Sequence, residues 1–145
     1  MPTALEILTE KGMNVYSTTT DQTVLAATRK MNQHHIGAMM VMDGERVAGI
    51  FTERDVLQRV IGEERQPSDI SVGEVMTRDV VCCGPDATLE EMSEMMRSRR
   101  IRHIPICDED GKLMGLISIG DINARHATQQ SMEIHYLNEY IYGRV

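Results

Sequence analysis

Two stretches of the sequence place the same residue types at the same spacing. Residues 49–55 and 115–121 each read glycine, two apolar residues, a hydroxyl residue, two variable residues and aspartate, and they lie 66 residues apart. An ionised aspartate offers two acceptor oxygens, which match the paired hydroxyls of a sugar. Hydroxyl groups and free backbone N–H groups at the beginning of a helix favour phosphate or sugar oxygens. The chemistry of the motif is therefore that of a sugar or phosphate site.

The same residues also fit a purely structural role. Thr52 and Ser118 suit the N-cap of a helix, and the aspartates three residues later, Asp55 and Asp121, suit its first turn. In a single copy that role suffices as an explanation. The motif occurs twice and in register with a longer repeat, and this duplication favours a ligand role for all four residues.

The elements that must position the motifs repeat as well. Apolar periodicity and turn residues predict the order strand, helix, strand, strand, helix in each copy. In the first copy these elements fall at 15–18, 24–32, 38–42, 46–51 and 52–62, and in the second at 80–83, 89–99, 104–107, 112–117 and from 118 onward. A short helix is predicted at 4–11. The chain thus divides into 1–62, a polar linker at 63–70 that contains a proline, and 71–145.

The order of strands and helices in each copy predicts the fold class α/β (α+β). Each copy of about 65 residues is too small to bury a full core alone, so the two copies must pack on each other. From Ser118 the second copy continues as one long helix to about Tyr142. An apolar stripe runs along this helix at Ala127, Ile134, Leu137 and Ile141. The spacing leaves two alternatives open, in which the stripe packs on its own module or forms a symmetric dimer contact.

Composition excludes several classes of function. The chain has 145 residues, a formal net charge of −7, one Phe, four Tyr and no Trp, which argues against nucleic-acid binding. No run of about 18 apolar residues is present to span a membrane, and the first six residues lack the pattern of a secretory signal. We therefore expect a cytoplasmic protein with no membrane or nucleic-acid partner.

No catalytic or metal-binding constellation emerges from the sequence. The five histidines are scattered, and neither a nucleophile and base at recognisable spacing nor a zinc pattern is present. We expect no enzyme activity, no catalytic cofactor and no metal. The three cysteines, Cys82, Cys83 and Cys107, are predicted to be reduced thiols. A redox role for Cys82 or Cys83 stays open, although adjacent strand residues point to opposite faces and form a poor disulfide.

The repeated unit resembles a tandem pair of cystathionine β-synthase (CBS) domains, the Bateman module. The resemblance covers nearly the whole chain and includes the duplicated motif, Val-Met-Thr at 75–77 and Ile-Arg-His-Ile-Pro-Ile-Cys-Asp at 101–108. It implies two repeats related by pseudo-twofold symmetry, with two clefts that in this family commonly hold adenine nucleotides. It also implies a stand-alone module that forms a homodimer.

The resemblance extends the predicted site beyond the two motifs. Asp55 and Asp121 would hold ribose, backbone near the first and second strands would read the adenine, and Arg102 with His103 would serve phosphates of the ligand held by Asp55. The predicted nucleotide-binding residues are Asp55, Asp121, Thr52, Ser118, Arg102, His103, Arg54, Ser17, Cys82 and Ala38.

Two functions are compatible with these observations. The leading prediction is a regulatory sensor that binds AMP, ADP, ATP or NAD(H) and acts on an unidentified protein. The alternative is a dimeric interaction scaffold with vestigial ligand sites, in which the long C-terminal helix docks a partner. A rise in melting temperature with an adenine nucleotide distinguishes the first from the second.

Overall fold

The computed structural model describes residues 2–142 and shows an α+β protein with two similar halves. Its elements, in chain order, are α1 (Ala4–Lys11), β1 (Ser17–Thr19), α2 (Val24–His34), β2 (Ala38–Asp43), β3 (Arg46–Thr52), α3 (Glu53–Asp55) with a π-helical continuation (Val56–Ile61), α4 (Val72–Val75), α5 (Leu89–Arg99), β4 (His103–Cys107), β5 (Leu113–Ser118) and α6 (Ile119–Tyr142). The predicted fold class, two strand-and-helix repeats followed by a long C-terminal helix, is confirmed.

Side-chain caps fix where the helices of the two repeats begin. The hydroxyl of Thr23 caps α2 and that of Thr88 caps α5 by accepting a backbone hydrogen bond in the first turn. Both helices begin at the predicted residue, and α5 covers the predicted range 89–99 in full. Three methionines on the inner faces of these helices are buried: Met31, Met92 and Met96.

The strand predicted at 80–83 does not form. In the first sheet, ordered β1-β2-β3, the N–H of Met40 donates to the carbonyl of Tyr16 at 3.4 Å where β1 joins β2 in parallel. The second repeat has Pro105 at the position of Met40, and proline has no N–H to donate. Within residues 2–142 the segment keeps one parallel bridge, from Cys83 to Ile106. The second sheet therefore consists of β4 and β5 alone.

Helices α1 and α4 are exchanged between the halves. The apolar face of α1, with Ile7 and Leu8, packs in the core that α5, β4 and β5 form in the second half. The apolar face of α4, with Val72 and Val75, packs in the core that α2, β2 and β3 form in the first half. The predicted boundaries along the chain, with a linker at 63–70, stay a prediction. In the folded protein, the N-terminal helix α1 packs on the second repeat.

The motif glycines make room for the exchanged helices. A Cβ on Gly49 would lie 2.6 Å from the carbonyl oxygen of Thr77, just beyond α4. A Cβ on Gly115 would lie 2.6 Å from Cδ2 of Leu8 in α1. A glycine thus leaves room at the same place in both repeats for another segment of the chain, against backbone at Gly49 and against a side chain at Gly115.

The two halves meet across a small central core. Side chains alternate along β2, so that one face of the first sheet packs on helices and the other faces the second half. The central core includes Ala38, Met40, Ile50, Val80, Leu113 and Leu116. This contact confirms that the two repeats pack together.

Helix α6 leaves the body of the protein after its first turns. Ile122 is 2% exposed and belongs to the core of the second half. Six large apolar residues further along the helix are each more than half exposed: Met132, Ile134, Tyr136, Leu137, Tyr140 and Ile141. The predicted stripe is therefore exposed in the protomer along its whole length, from Ala127 to Ile141, and its use as a dimer contact stays a prediction.

Candidate functional site

Both motifs fold as capping boxes at a turn from strand to helix. The N–H of Thr52 donates to Oδ2 of Asp55 at 2.9 Å, and the N–H of Asp55 donates back to Oγ1 of Thr52 at 3.4 Å. The matching distances between Ser118 and Asp121 are 2.8 Å and 3.3 Å. The structural role of these four residues is confirmed. Ribose binding by the aspartates stays a prediction.

Asp55 is buried, with a side chain that is 6% exposed. Its Oδ1 accepts a hydrogen bond from Oγ1 of Thr77 at 3.0 Å and lies 4.0 Å from Nε of Arg59. Its Oδ2 accepts from both the N–H and the hydroxyl of Thr52. Both oxygens are therefore used inside the protein, and Asp55 joins α3 to the segment that follows α4.

Asp121 is more accessible, because its side chain is 23% exposed. Its Oδ2 accepts hydrogen bonds from the N–H and hydroxyl of Ser118 and from Nζ of Lys11, the last at 2.7 Å. No group among residues 2–142 donates to its Oδ1. Burial raises the pKa of Asp121, but the hydrogen bonds from Lys11 and Ser118 lower it by more, so the carboxylate is ionised at neutral pH.

Lys11 and Thr77 occupy matching places in the two halves. Thr77 pairs with Ile50 in β3 through backbone hydrogen bonds of 2.9 Å and 3.0 Å, and Nζ of Lys11 donates to the carbonyl of Leu116 in β5 at 2.8 Å. The side chain of Thr77 then donates a hydrogen bond to Asp55, and that of Lys11 donates one to Asp121. Lys11 is absent from the predicted site residues, although one sequence signal identifies it, since 66 residues separate Lys11 from Thr77 just as they separate Asp55 from Asp121.

Arg102 and His103 lie beside the second motif. The carbonyl of Arg102 accepts from the N–H of Ile119 at 2.8 Å, and His103 pairs with Ser118 across β4 and β5. That Arg102 and His103 contact the phosphates of a ligand held by Asp55 stays a prediction. The backbone places both residues next to the motif of their own repeat.

His103 is neutral near pH 7. Burial lowers the pKa of His103 from its ordinary value of 6.5, and the positive charges of Arg102 and Lys11 lower it further. The negative charges of Asp121 and Glu53 act in the opposite direction without reversing the shift. Of the two residues predicted to bind phosphates, Arg102 is therefore the one that carries a permanent charge.

The remaining predicted residues are spread over the first half and its border with the second. Nη1 of Arg54 donates to the carbonyl of Arg100 at 3.5 Å, which is a weak link between the halves. The carbonyl of Ser17 accepts from Nζ of Lys30 at 2.7 Å, and Ala38 is buried opposite Thr52 in the sheet. Their roles in a nucleotide site stay predictions.

The thiols differ in their surroundings. Cys82 is exposed, whereas Cys83 packs against the second core with its Sγ 3.7 Å from Sδ of Met95. Burial, followed by a hydrogen bond with Cys82, raises the pKa of Cys107 to about 12. Burial also raises the pKa of Cys83, so neither thiol is activated as a nucleophile. In the described part of the chain no three His, Cys, Asp or Glu side chains come close enough to hold a metal ion.

The repeats, their exchanged helices and the paired motifs are those of a tandem CBS-domain protein. The CBS domain family matches residues 4–62 and 72–125, and the chain belongs to this family. The mitochondrial CBS domain-containing protein CBSX3 of Arabidopsis thaliana is 35% identical over 130 residues, which cover 86% of this chain and 63% of the relative. The chain thus spans less than two thirds of the length of that relative.

Solved structures share the fold. The CBS-domain containing protein ATU1752 from Agrobacterium tumefaciens is 36% identical, with a TM-score of 0.81 and coverage of 86% of this chain and 99% of that chain. The CBS domain pair of protein MJ0100, solved in complex with 5′-methylthioadenosine and S-adenosyl-L-methionine, has a TM-score of 0.78 at 18% identity, covering 89% of this chain and 98% of that chain. At that identity the likeness concerns the fold.

No helix within residues 2–142 combines the length and the apolar character needed to cross a membrane. The predicted cytoplasmic location is a proposal, because the Arabidopsis relative is mitochondrial.

Proposed function

We propose that this CBS pair is a non-catalytic regulatory module that binds an adenine nucleotide, AMP, ADP, ATP or NAD(H), at the second motif. The observation that supports it most is the state of Asp121, a partly exposed carboxylate whose Oδ1 receives no hydrogen bond from residues 2–142. The adenosyl ligands of MJ0100 share the adenine and ribose of these nucleotides but carry no phosphate.

The comparison with Asp55 supports the choice of the second motif. A ribose hydroxyl needs an acceptor oxygen that it can reach without breaking internal hydrogen bonds, because a buried donor left unpaired costs about 1–3 kcal/mol. Asp55 is buried with both oxygens used, whereas Asp121 has one available. The first cleft is therefore the weaker of the two predicted sites.

The residues around Asp121 have separate roles in this proposal. Oδ1 of Asp121 accepts a ribose hydroxyl, and Ser118 holds the carboxylate in place from the other side. Arg102 offers a cation for phosphate, and Cys82 lies in the segment predicted to contact the base. The proposed site thus combines an acceptor for the sugar with a cation for the phosphate.

Regulation requires that the nucleotide prefer one arrangement of the module. Binding energy shifts an equilibrium only by the difference in affinity between its states. The exchanged helix α1 gives the second motif a contact that a bound ligand can change, because Lys11 lies at its end and meets Asp121 directly. The regulated protein itself is unidentified.

The proposal is tested by thermal shift with AMP, ATP, NAD, NADH and S-adenosylmethionine. At least one nucleotide should raise the Tm of the wild type by several degrees at saturating concentration, roughly the effect of 2–3 kcal/mol of linkage. Asp121→Asn should abolish the rise. Asp110→Asn, in an exposed turn, is the matched control and should keep it. A panel without any Tm change in the wild type would contradict the proposal.

A second candidate function, a dimeric scaffold, is favoured by the exposed apolar residues of α6. Ile134 and Leu137 are 59% and 58% exposed in the protomer. A homodimer that covers them should dissociate in Ile134→Glu or Leu137→Glu, measured by sedimentation, while Gln129→Glu on the same helix leaves the assembly intact. A wild type that is monomeric at all concentrations would contradict the scaffold.

A further inference from the structure

Lys11 occupies a position that joins three parts of the molecule. It is the last residue of α1, and its Nζ donates to Oδ2 of Asp121 at 2.7 Å and to the carbonyl of Leu116 at 2.8 Å. Its side chain is 36% exposed. The residue therefore belongs to the exchanged helix, is fixed to the second motif and still reaches solvent.

The ammonium group of Lys11 has a donor to spare. A lysine carries three N–H donors, and the two hydrogen bonds to Leu116 and Asp121 use two of them. At the matching place in the first half, Thr77 offers a single neutral hydroxyl, which is already donated to Asp55. A ligand at the second motif can thus meet a charged donor that has no counterpart at the first.

The ion pair of Lys11 and Asp121 changes the balance of charge around the second motif. Lys11 neutralises Asp121, and Arg102 adds a positive charge at the same edge of β4 and β5. Glu53 is the acidic group that faces His103 from the first half. Without Lys11, a phosphate would approach an unpaired carboxylate and be repelled, while a cationic or neutral adenosyl group would not.

We infer that Lys11 is a specificity-determining residue that makes the proposed site at Asp121 select nucleosides carrying a phosphate over uncharged or cationic adenosyl compounds. The inference rests on the proposed function and adds the residue that distinguishes a nucleotide from other adenosyl compounds. The ammonium acts in two ways, by cancelling the charge of Asp121 and by donating its third N–H to a phosphate oxygen.

The test is calorimetric titration of the wild type, Lys11→Met and Lys11→Arg with AMP and with adenosine. The wild type should bind AMP more tightly than adenosine. Lys11→Met should weaken AMP binding about tenfold or more, as expected for one lost charge-assisted hydrogen bond, and change adenosine binding much less. Lys11→Arg should retain most of the preference for AMP, because it keeps the charge.

Lys112→Met is the matched control, since it removes the same charge from the exposed turn between β4 and β5. It should leave both affinities unchanged. An equal loss for AMP and adenosine in Lys11→Met would overturn the inference, because Lys11 would then only position Asp121. Affinities for AMP and adenosine that are both the same as in the wild type would also overturn it, while leaving the proposed function intact. A wild type that binds neither compound would overturn the inference, and it would overturn the proposed function as well only if ATP, NAD and NADH also failed to raise the Tm.

Discussion

The two aspartate motifs share their turn and differ in what reaches it from outside. In both, the aspartate and the hydroxyl residue close a capping box with nearly equal distances. At Asp55 the third partner is the neutral hydroxyl of Thr77, whereas at Asp121 it is the ammonium of Lys11. The side chains are 6% and 23% exposed. The repeated sequence thus encodes the turn. The segments that pack against it, α1 at Asp121 and the residues after α4 at Asp55, determine the third partner of each aspartate.

The difference has a physical origin in burial. A carboxylate that is almost fully buried is tolerated only when it is paired and hydrogen-bonded, and Thr52, Thr77 and Arg59 provide these partners for Asp55. A partly exposed ion pair such as that of Lys11 and Asp121 contributes little to stability, about 1 kcal/mol or less. We therefore assign Asp55 mainly to the fold and Asp121 mainly to ligand binding.

The largest expected effect separates the two aspartates by stability. Asp55→Ala should lower the free energy of unfolding by about 3 kcal/mol, because it leaves the donors of Thr52 and Thr77 unpaired. Asp121→Ala should lower it by about 1 kcal/mol, the typical cost of a lost cap. Urea unfolding measures both, with Asp110→Ala as the control in an exposed turn. Equal losses at the two aspartates would contradict the comparison.

The next effect separates the two motif glycines. Gly49→Ala should cost about 2–3 kcal/mol, since its Cβ would meet the backbone oxygen of Thr77, which cannot move without disturbing β3. Gly115→Ala should cost about 1 kcal/mol, because the atom it meets is the flexible end of Leu8. Gly84→Ala, which has no atom within 4 Å among the described residues, should be close to neutral. Thermal unfolding ranks the three variants, and the reverse order of the first two would contradict the account.

The smallest effect concerns the ion pair of Lys11 and Asp121. The pKa of Asp121 in the folded protein is lowered from 3.8, so its contribution to stability is present above about pH 4 and is lost as the pH falls through the folded value. The difference in free energy of unfolding between wild type and Asp121→Asn should therefore be about 1 kcal/mol or less at pH 7 and shrink toward zero as the pH falls through the lowered pKa of Asp121. If this difference in free energy of unfolding grew as the pH fell, the predicted lowering of the pKa of Asp121 would be contradicted.

Local sequence signals predicted much of this comparison. The predicted starts of α2 and α5 agree with the structure, where Thr23 and Thr88 cap these helices, and the predicted strands 38–42 and 46–51 form the hairpin of β2 and β3. Such features were predictable because caps and turns depend on neighbours in the chain. The motif itself followed from the repeat. These features need no knowledge of distant contacts.

The features that were missed depend on residues far apart in the sequence. The strand at 80–83 failed because Pro105 lies in the strand that it would have joined. The contact between Lys11 and Asp121 joins residues 110 positions apart, and it exists only because α1 packs on the second half. Propensity and periodicity describe single elements and cannot reveal which half a short helix completes.

The most direct test of the central claim, that the second motif rather than the first is the nucleotide site, is a crystal structure of the protein with AMP. The account predicts a ribose hydroxyl within hydrogen-bonding distance of Oδ1 of Asp121, with the phosphate beside Lys11 and Arg102 and no nucleotide at Asp55. Density for the ribose at Asp55 with Asp121 still paired only to Lys11 and Ser118 would contradict it.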